Sequence, residues 1–239
     1  MSQTKKRHTI HNMMDDILSI IFPQTCIHCG EPLVGEEKDL CTHCLCQLEW
    51  FYCSSTKNNE VERRLMGRIP IEAATTLLLF RKGNVTQNII HQIKYHGNIH
   101  LAKEFGMMLG NELTRCGRFN DIDIIVPVPL HWWRKHKRGY NQSELICHSL
   151  SQKLDCPVVT NNLYRKHYTK SQTRKDRQQR RTNMNNAFSV RHPERFESKH
   201  ILLIDDVITT GSTMEACYHA IETIPNIRVS IASLALTIQ

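Results

Sequence analysis

An α/β fold, a mainly parallel sheet flanked by helices and preceded by a small cysteine module, is predicted by three features of this 239-residue chain. From residue 71 onward, apolar runs of strand length alternate with segments of helical periodicity. One apolar strand, at 201–204, runs into two acids and then a turn rich in Thr and Gly. Two C-x2-C pairs sit close together near the N-terminus. The composition, 40% hydrophobic and 23% charged, is that of an ordinary globular chain with room for one good-sized core and an accessory module. A formal net charge of +8 favours anionic partners such as nucleotides, nucleic acid or acidic surfaces without choosing among them.

Taken in order, residues 1–24 form a polar, basic tail and a short amphipathic helix, Met13 to Phe22, that Pro23 ends. Residues 25–65 hold the cysteine module and a polar connection between Ser54 and Arg68, and residues 66–239 form the larger domain. Strands are expected at Ala73–Phe80, Ile122–Val128, Pro157–Thr160, Ile201–Ile204 and Val229–Leu236. Helices are expected at Val85–Tyr95, Leu101–Thr114, Asn141–Leu154 and Thr213–Thr223. No apolar stretch approaches the roughly 20 residues of a membrane-spanning helix, the longest being Ile17 to Phe22, so no span is expected. Lys5, Lys6 and Arg7 are not followed by the apolar region of a signal peptide, and the cytoplasm is the expected compartment.

Six of the ten cysteines fall between Cys26 and Cys53. Within that stretch, Cys26-Ile-His-Cys29 and Cys41-Thr-His-Cys44 are separated by eleven residues. Two thiolates per knuckle, with Gly30 allowing a tight turn after the first, are the ligand set of a closed tetrahedral zinc site. Four sulfurs leave no open coordination position, so the expected zinc is structural. His28, His43, Cys46 and Cys53 are candidate substitute ligands, read in the first place as bystanders.

The run Ile201-Leu-Leu-Ile-Asp205-Asp206-Val-Ile-Thr209-Thr210-Gly211-Ser212-Thr213 carries the most chemistry. Thr209 to Thr213 supply hydroxyl donors, a glycine free to take positive φ and the N–H groups that open a helix, which together make an anion cradle. Asp205 and Asp206 would repel that same anion, so they make sense where the ligand presents hydroxyls or a bound cation a few ångströms from its phosphate. Ribose 5-phosphate has this polarity. A solvated acidic turn before a Thr-capped helix accounts for each residue singly but not for the whole run. A Walker A loop is excluded by the missing Lys, and a haloacid-dehalogenase site would want an Asp where Val207 stands.

The same run resembles the phosphoribosyl pyrophosphate (PRPP) signature of type I phosphoribosyltransferases. With the cysteine pairs, Lys94-Tyr95-His96-Gly97, Val126-Pro-Val-Pro129 and Arg138-Gly-Tyr-Asn-Gln142, the chain is similar to the competence protein F family over most of its length. The resemblance implies a type I phosphoribosyltransferase-like fold that binds PRPP with Mg²⁺. Asp205 and Asp206 would take the ribose hydroxyls, Thr209, Thr210, Gly211, Ser212 and Thr213 the 5-phosphate, and Lys94 to Gly97 the neighbourhood of the pyrophosphate. The basic stretch from Lys170 to Arg181, including Arg174, corresponds in position to the lid of such enzymes, where its cations would stabilise a departing pyrophosphate. It also reads as a solvated helix face or a nucleic-acid grip. Purine-salvage relatives place a carboxylate base where this chain has Thr209, which argues against purine salvage; orotate-type relatives share the Thr.

His131-Trp-Trp-Arg134-Lys135-His-Lys137-Arg138-Gly-Tyr140 interleaves aromatics and cations; it is read first as the loop after a strand that lines the sugar-phosphate site, and next as a single-strand nucleic-acid contact or as packing. The resemblance therefore leaves two functions in view. One is transfer of a phosphoribosyl group to an unknown acceptor, with Asp205, Asp206, Lys94 and Arg174 as the catalytic set. The other is a non-enzymatic adaptor in DNA uptake that contacts single-stranded DNA and a helicase. Acceptor and oligomeric state are not legible.

Overall fold

The computed structural model describes residues 23–166 and 187–238. They fall into two compact units that divide between Leu48 and Glu49. The expected helix at Met13–Phe22 lies outside the described residues, as does the basic stretch from Lys170 to Arg181 that contains Arg174.

Among the described residues of the first unit, local hydrogen bonds order the turns that carry the cysteines. Cys26 N–H reaches Glu31 O at 2.8 Å and Gly30 N–H closes back on Cys26 O at 3.0 Å, with Gly30 at φ 78°. Helix α1 (Thr42–Cys46) begins at Cys41, whose Sγ accepts from Cys44 N–H at 3.4 Å. Glu37 clamps the same turn, one carboxylate oxygen accepting from both the N–H and the hydroxyl of Thr42 at 2.6 Å.

The second unit runs α2 (Glu60–Leu65), β1 (Ala74–Phe80), α3 (Val85–Tyr95), α4 (Ile99–Cys116), β2 (Ile124–Pro127), α5 (Trp132–Arg138), α6 (Gln142–Leu154), β3 (Leu163–Arg165), β4 (Phe188–Val190), a 3-10 turn at Pro193–Arg195, β5 (His200–Ile208), α7 (Ser212–His219) and β6 (Arg228–Thr237). β1, β6, β5 and β2 form, in that order, a four-stranded sheet whose pairings are all parallel. Near-continuous burial along β5 and β6 is what a parallel sheet covered on both faces requires.

On one side, Val61 and Leu65 of α2 and Met214 and Cys217 of α7 join Ile201, Leu203 and Ile231 of the sheet in a single apolar cluster. On the other side, α4 and α6 pack against each other and onto the strands. Their approach needs Gly106 and Gly110, because a Cβ at either would stand 3.0 Å from the backbone of Ile146 or Leu150. The edge of β1 is covered by residues 49–51, with Phe51 N–H to Leu77 O at 2.9 Å and Leu79 N–H to Glu49 O at 2.7 Å.

Several elements differ from the sequence expectation. The polar stretch 54–68, read as a connection, contains α2: Asn59 caps it through Val61 N–H at 3.0 Å, and its two apolar residues, four apart, enter the core. The strand expected at Pro157–Thr160 reduces to one parallel bridge, Val158 to Ile125. The helix expected to reach Thr223 ends at His219, where Ala220 and Ile221 N–H turn to carbonyls three residues back. β5 runs four residues farther than expected and carries both acids within the strand. The antiparallel hairpin of β3 and β4, paired from Leu163–Val190 to Arg165–Phe188, had no counterpart in the reading.

Candidate functional site

The C-terminal ends of β2 and β5 bring the site together, as expected for an open parallel sheet. After β2 the chain turns through α5, whose C-terminus is closed by Gly139 at φ 80° donating to Lys135 O at 2.8 Å. Tyr140 hydroxyl then donates to Ile93 O in α3. Asn141 caps α6, its Oδ1 accepting from Ser143 N–H at 3.1 Å while its Nδ2 donates to Val128 O at 3.2 Å. Each contact aims the first turn of α6 at β5.

The two carboxylates are received there. Gln142 Nε2 donates to Asp206 Oδ2 at 2.6 Å, and Lys94, near the end of α3, places Nζ 2.8 Å from Asp206 Oδ1. Asp205 Oδ1 accepts from Asp206 N–H at 2.9 Å and from Ser143 hydroxyl at 3.3 Å. Asp205 is nonetheless pushed up to about 7, first by burial and then by the adjacent Asp206 carboxylate, against the pull of Lys94. Gln142 is 4% exposed, and its Oε1 is buried without a hydrogen-bond partner. A ligand hydroxyl satisfies such an acceptor, and two carboxylates beside one lysine leave negative charge for a cation. These residues therefore fit a hydroxylated, Mg²⁺-bearing ligand.

The anion cradle follows at once. Gly211 takes φ 78° at the start of α7; Thr209, Thr210 and Thr213 are exposed, and Ser212 is half-buried. Thr210 and Ser212 hydroxyls share a hydrogen bond of 2.9 Å. The first N–H groups of α7 lack partners within the helix by construction, which favours an anion at this end. The structure thus assembles Lys94, Asp205, Asp206 and Thr209–Thr213, while Arg174 lies outside the described residues.

Two groups at this site had no role in the sequence reading. Gln142 and Ser143 meet the acids directly. Arg64 and Arg68 reach the cradle from α2 and the turn after it, with Arg64 Nη1 on Thr209 O at 2.7 Å and Arg68 Nη2 on Ser212 Oγ at 3.1 Å. Beside Lys94 opens a pocket of about 260 Å³ lined by Lys94, Tyr95, Trp133, Arg134, Lys137 and Arg138. Lys137 lies over the Trp133 ring at 5.7 Å and Arg138 over Tyr95 at 5.0 Å. The stretch read as a loop here is helical, and Lys135 is turned away to Glu144 at 3.0 Å.

In the first unit the Sγ atoms of Cys26, Cys29, Cys41 and Cys44 all lie within 4.8 Å of one another. Cys29 and Cys41 are 3.7 Å apart, close to the edge of about 3.8 Å that four Zn–S bonds of about 2.3 Å imply for a tetrahedron. The cluster can hold a zinc ion, and Cys46 and Cys53 stand outside it, exposed.

The family model of the phosphoribosyl transferase domain matches residues 141–237, which span α6 to β6. The chain is 29% identical over 198 residues to competence protein F of Haemophilus influenzae, covering 79% of this chain and 86% of that one. It is 35% identical over 130 residues to the DNA utilization protein YhgH of Escherichia coli K12, covering 53% of this chain and 56% of the relative. Competence protein ComFC of Bacillus subtilis is 30% identical over 136 residues, 57% of this chain and 53% of that protein. The chain thus spans about half the length of two of these three relatives. With its parallel α/β sheet and its four-cysteine cluster, the chain is similar to the phosphoribosyltransferase-like proteins of the competence protein F family.

Proposed function

We propose that the site at the end of β5 binds the ribose 5-phosphate part of PRPP with Mg²⁺ and transfers the phosphoribosyl group to an acceptor. The observation that carries this reading is the succession, within nine residues, of two carboxylates and an anion cradle, with Lys94 facing the former at 2.8 Å. Asp205 and Asp206 take the ribose hydroxyls and favour positive charge developing on the ring; Thr209 to Thr213 hold the 5-phosphate; Lys94 faces the leaving pyrophosphate. Mg²⁺, when bound, neutralises pyrophosphate charge. Arg174 is proposed as an additional cation toward the same leaving group. Calorimetric titration of PRPP with Mg²⁺ into the zinc-loaded protein is the test: binding is expected, and its absence overturns the reading.

Zinc in the cysteine cluster is the second part of the proposal. A unit held by turns and short hydrogen bonds depends on its metal for folding free energy, on the order of 10–16 kcal/mol in zinc-finger peptides. Chelation is expected to release one zinc per chain and to unfold residues 26 to about 53. Unchanged circular dichroism with no zinc released would refute it. Ten cysteines without a disulfide suit a reducing compartment, and we place the protein in the cytoplasm.

The cation and aromatic pocket beside Lys94, together with relatives named for competence and DNA utilization, favours a second reading: contact with single-stranded DNA in DNA uptake, alongside a helicase. Salt-dependent binding of single-stranded DNA that falls when Arg134, Lys135 and Lys137 are neutralised would support it, and no binding at low salt would end it.

A further inference from the structure

The anion loop is gripped from behind by a segment that precedes the whole sheet. Arg64 Nη1 donates to Thr209 O at 2.7 Å and to Thr237 O at 2.5 Å. Arg68 Nη1 donates to Thr210 O, its Nη2 donates to Ser212 Oγ at 3.1 Å, and the same guanidinium pairs with Glu215. Leu65, fully buried between these two arginines in sequence, fills the space behind Gly211, where a Cβ would stand only 2.8 Å from Leu65 Cδ2.

The consequence for an anion follows from peptide geometry. In a planar trans peptide the C=O and the N–H of the same unit point in opposite directions. A guanidinium that ties Thr209 O to the rear turns Thr210 N–H to the front, and one that ties Thr210 O turns Gly211 N–H to the front. Two carbonyl oxygens that would repel a phosphate are thereby withdrawn. Ser212 Oγ accepts from Arg68 at 3.1 Å and shares a further hydrogen bond of 2.9 Å with Thr210 Oγ1, which ties the two hydroxyls of the loop together.

We propose that Arg64 and Arg68 are positioning residues of the phosphate subsite, each setting the direction of one peptide of the Thr209–Gly211 loop. Residues 60–68 thus complete an anion site whose loop lies in the 141–237 family match although they lie outside it. This rests on the reading of the cradle as the 5-phosphate subsite.

The experiment is a titration of ribose 5-phosphate into the full-length, zinc-loaded protein, followed by the backbone amide resonances of Thr210 and Gly211, with Arg64→Ala, Arg68→Ala and Arg68→Lys beside wild type. In wild type both amides are expected to shift on binding. Arg64→Ala should lose mainly the Thr210 shift and Arg68→Ala mainly the Gly211 shift, each with affinity down roughly tenfold, the worth of a charge-assisted hydrogen bond. Arg68→Lys, which keeps the charge without the fork, should stay weakened. Wild-type affinity in either alanine variant, loss of both shifts together in each, or full recovery in Arg68→Lys overturns the brace. Failure of wild type to bind ribose 5-phosphate at all overturns the reading of the cradle instead.

Discussion

The two ends of β5 each carry a polar cluster that includes carboxylates, yet they are built to opposite ends. At the N-terminal end, His200 is 2% exposed; its Nδ1 meets Asp121 at 3.0 Å, its Nε2 meets Ser230 Oγ at 2.9 Å, and its N–H donates to Asp123 at 2.7 Å. The second oxygen of Asp121 accepts from Arg228 at 2.6 Å, and this bond holds the Asp121 carboxyl below its usual range. The order Ser230, His200, Asp121 has the connectivity of a hydrolytic triad, but Ser230 is fully buried, and a nucleophile without access to substrate is a clip. At the C-terminal end Asp205 is pushed up to about 7 and Gln142 Oε1 has no partner. Saturated polar groups lock a fold, whereas groups left short of partners are available to a ligand.

The sharpest way to break this contrast is to change each end in turn. Asp205→Asn with Asp206→Asn is expected to weaken PRPP·Mg²⁺ binding by at least about 100-fold, because each neutral amide loses the charge a cation needs and exchanges one of two acceptor oxygens for a donor. Thermal stability should hold or rise, since a pair of like charges leaves a buried site. Calorimetry and a melting curve on the same sample decide it; a large drop in stability with binding intact would invert the assignment of the two ends.

His200→Ala should do the reverse. Deleting a buried imidazole strands Ser230 Oγ and leaves a cavity, at a cost of about 2–3 kcal/mol in urea unfolding. Affinity for PRPP should match wild type, because the clip and the cradle sit at opposite ends of a nine-residue strand. Loss of binding at unchanged stability would show that the saturated end does more than hold β5.

How much of this was legible follows the same division between local and distant causes. The sheet strands at Ala74–Phe80 and Arg228–Thr237 and the helix at Val85–Tyr95 were readable because each carries enough apolar residues to show its period. Helix α5 has no buried residue, so no periodicity marks it, and the three-residue strands β3 and β4 are too short to carry one. The acids, the cradle and the four cysteines were visible because each group is contiguous or regularly spaced. Arg64 and Arg68 were not: their partners in the anion loop lie more than 140 positions away, and in a charged stretch they look like solvated surface. Gln142 stood inside a readable motif, but the reason for its position, the carboxylate of Asp206, exists only in the folded chain.

The smallest expected effect separates stability from binding by pH alone. Asp205 titrates near 7 in the fold and in the ordinary carboxylate range, from 3.8, when unfolded. Because the folded value is raised, the fold resists the ionised form, and this group's penalty is full above about pH 7 and relieved as pH falls toward 4. Binding runs the other way: a protonated Asp205 cannot neutralise a cation, so PRPP·Mg²⁺ affinity should decline several-fold between pH 8 and pH 6. Asp205→Asn should flatten the contribution of this group to both profiles, leaving only the slope from the ligand's own phosphates, which inorganic pyrophosphate with Mg²⁺ measures separately. An affinity profile in Asp205→Asn as steep as in wild type would assign the proton elsewhere. The His200 end, whose carboxylate is already paired with Arg228, should contribute nothing to the binding slope, and His200→Ala tests that in the same titration.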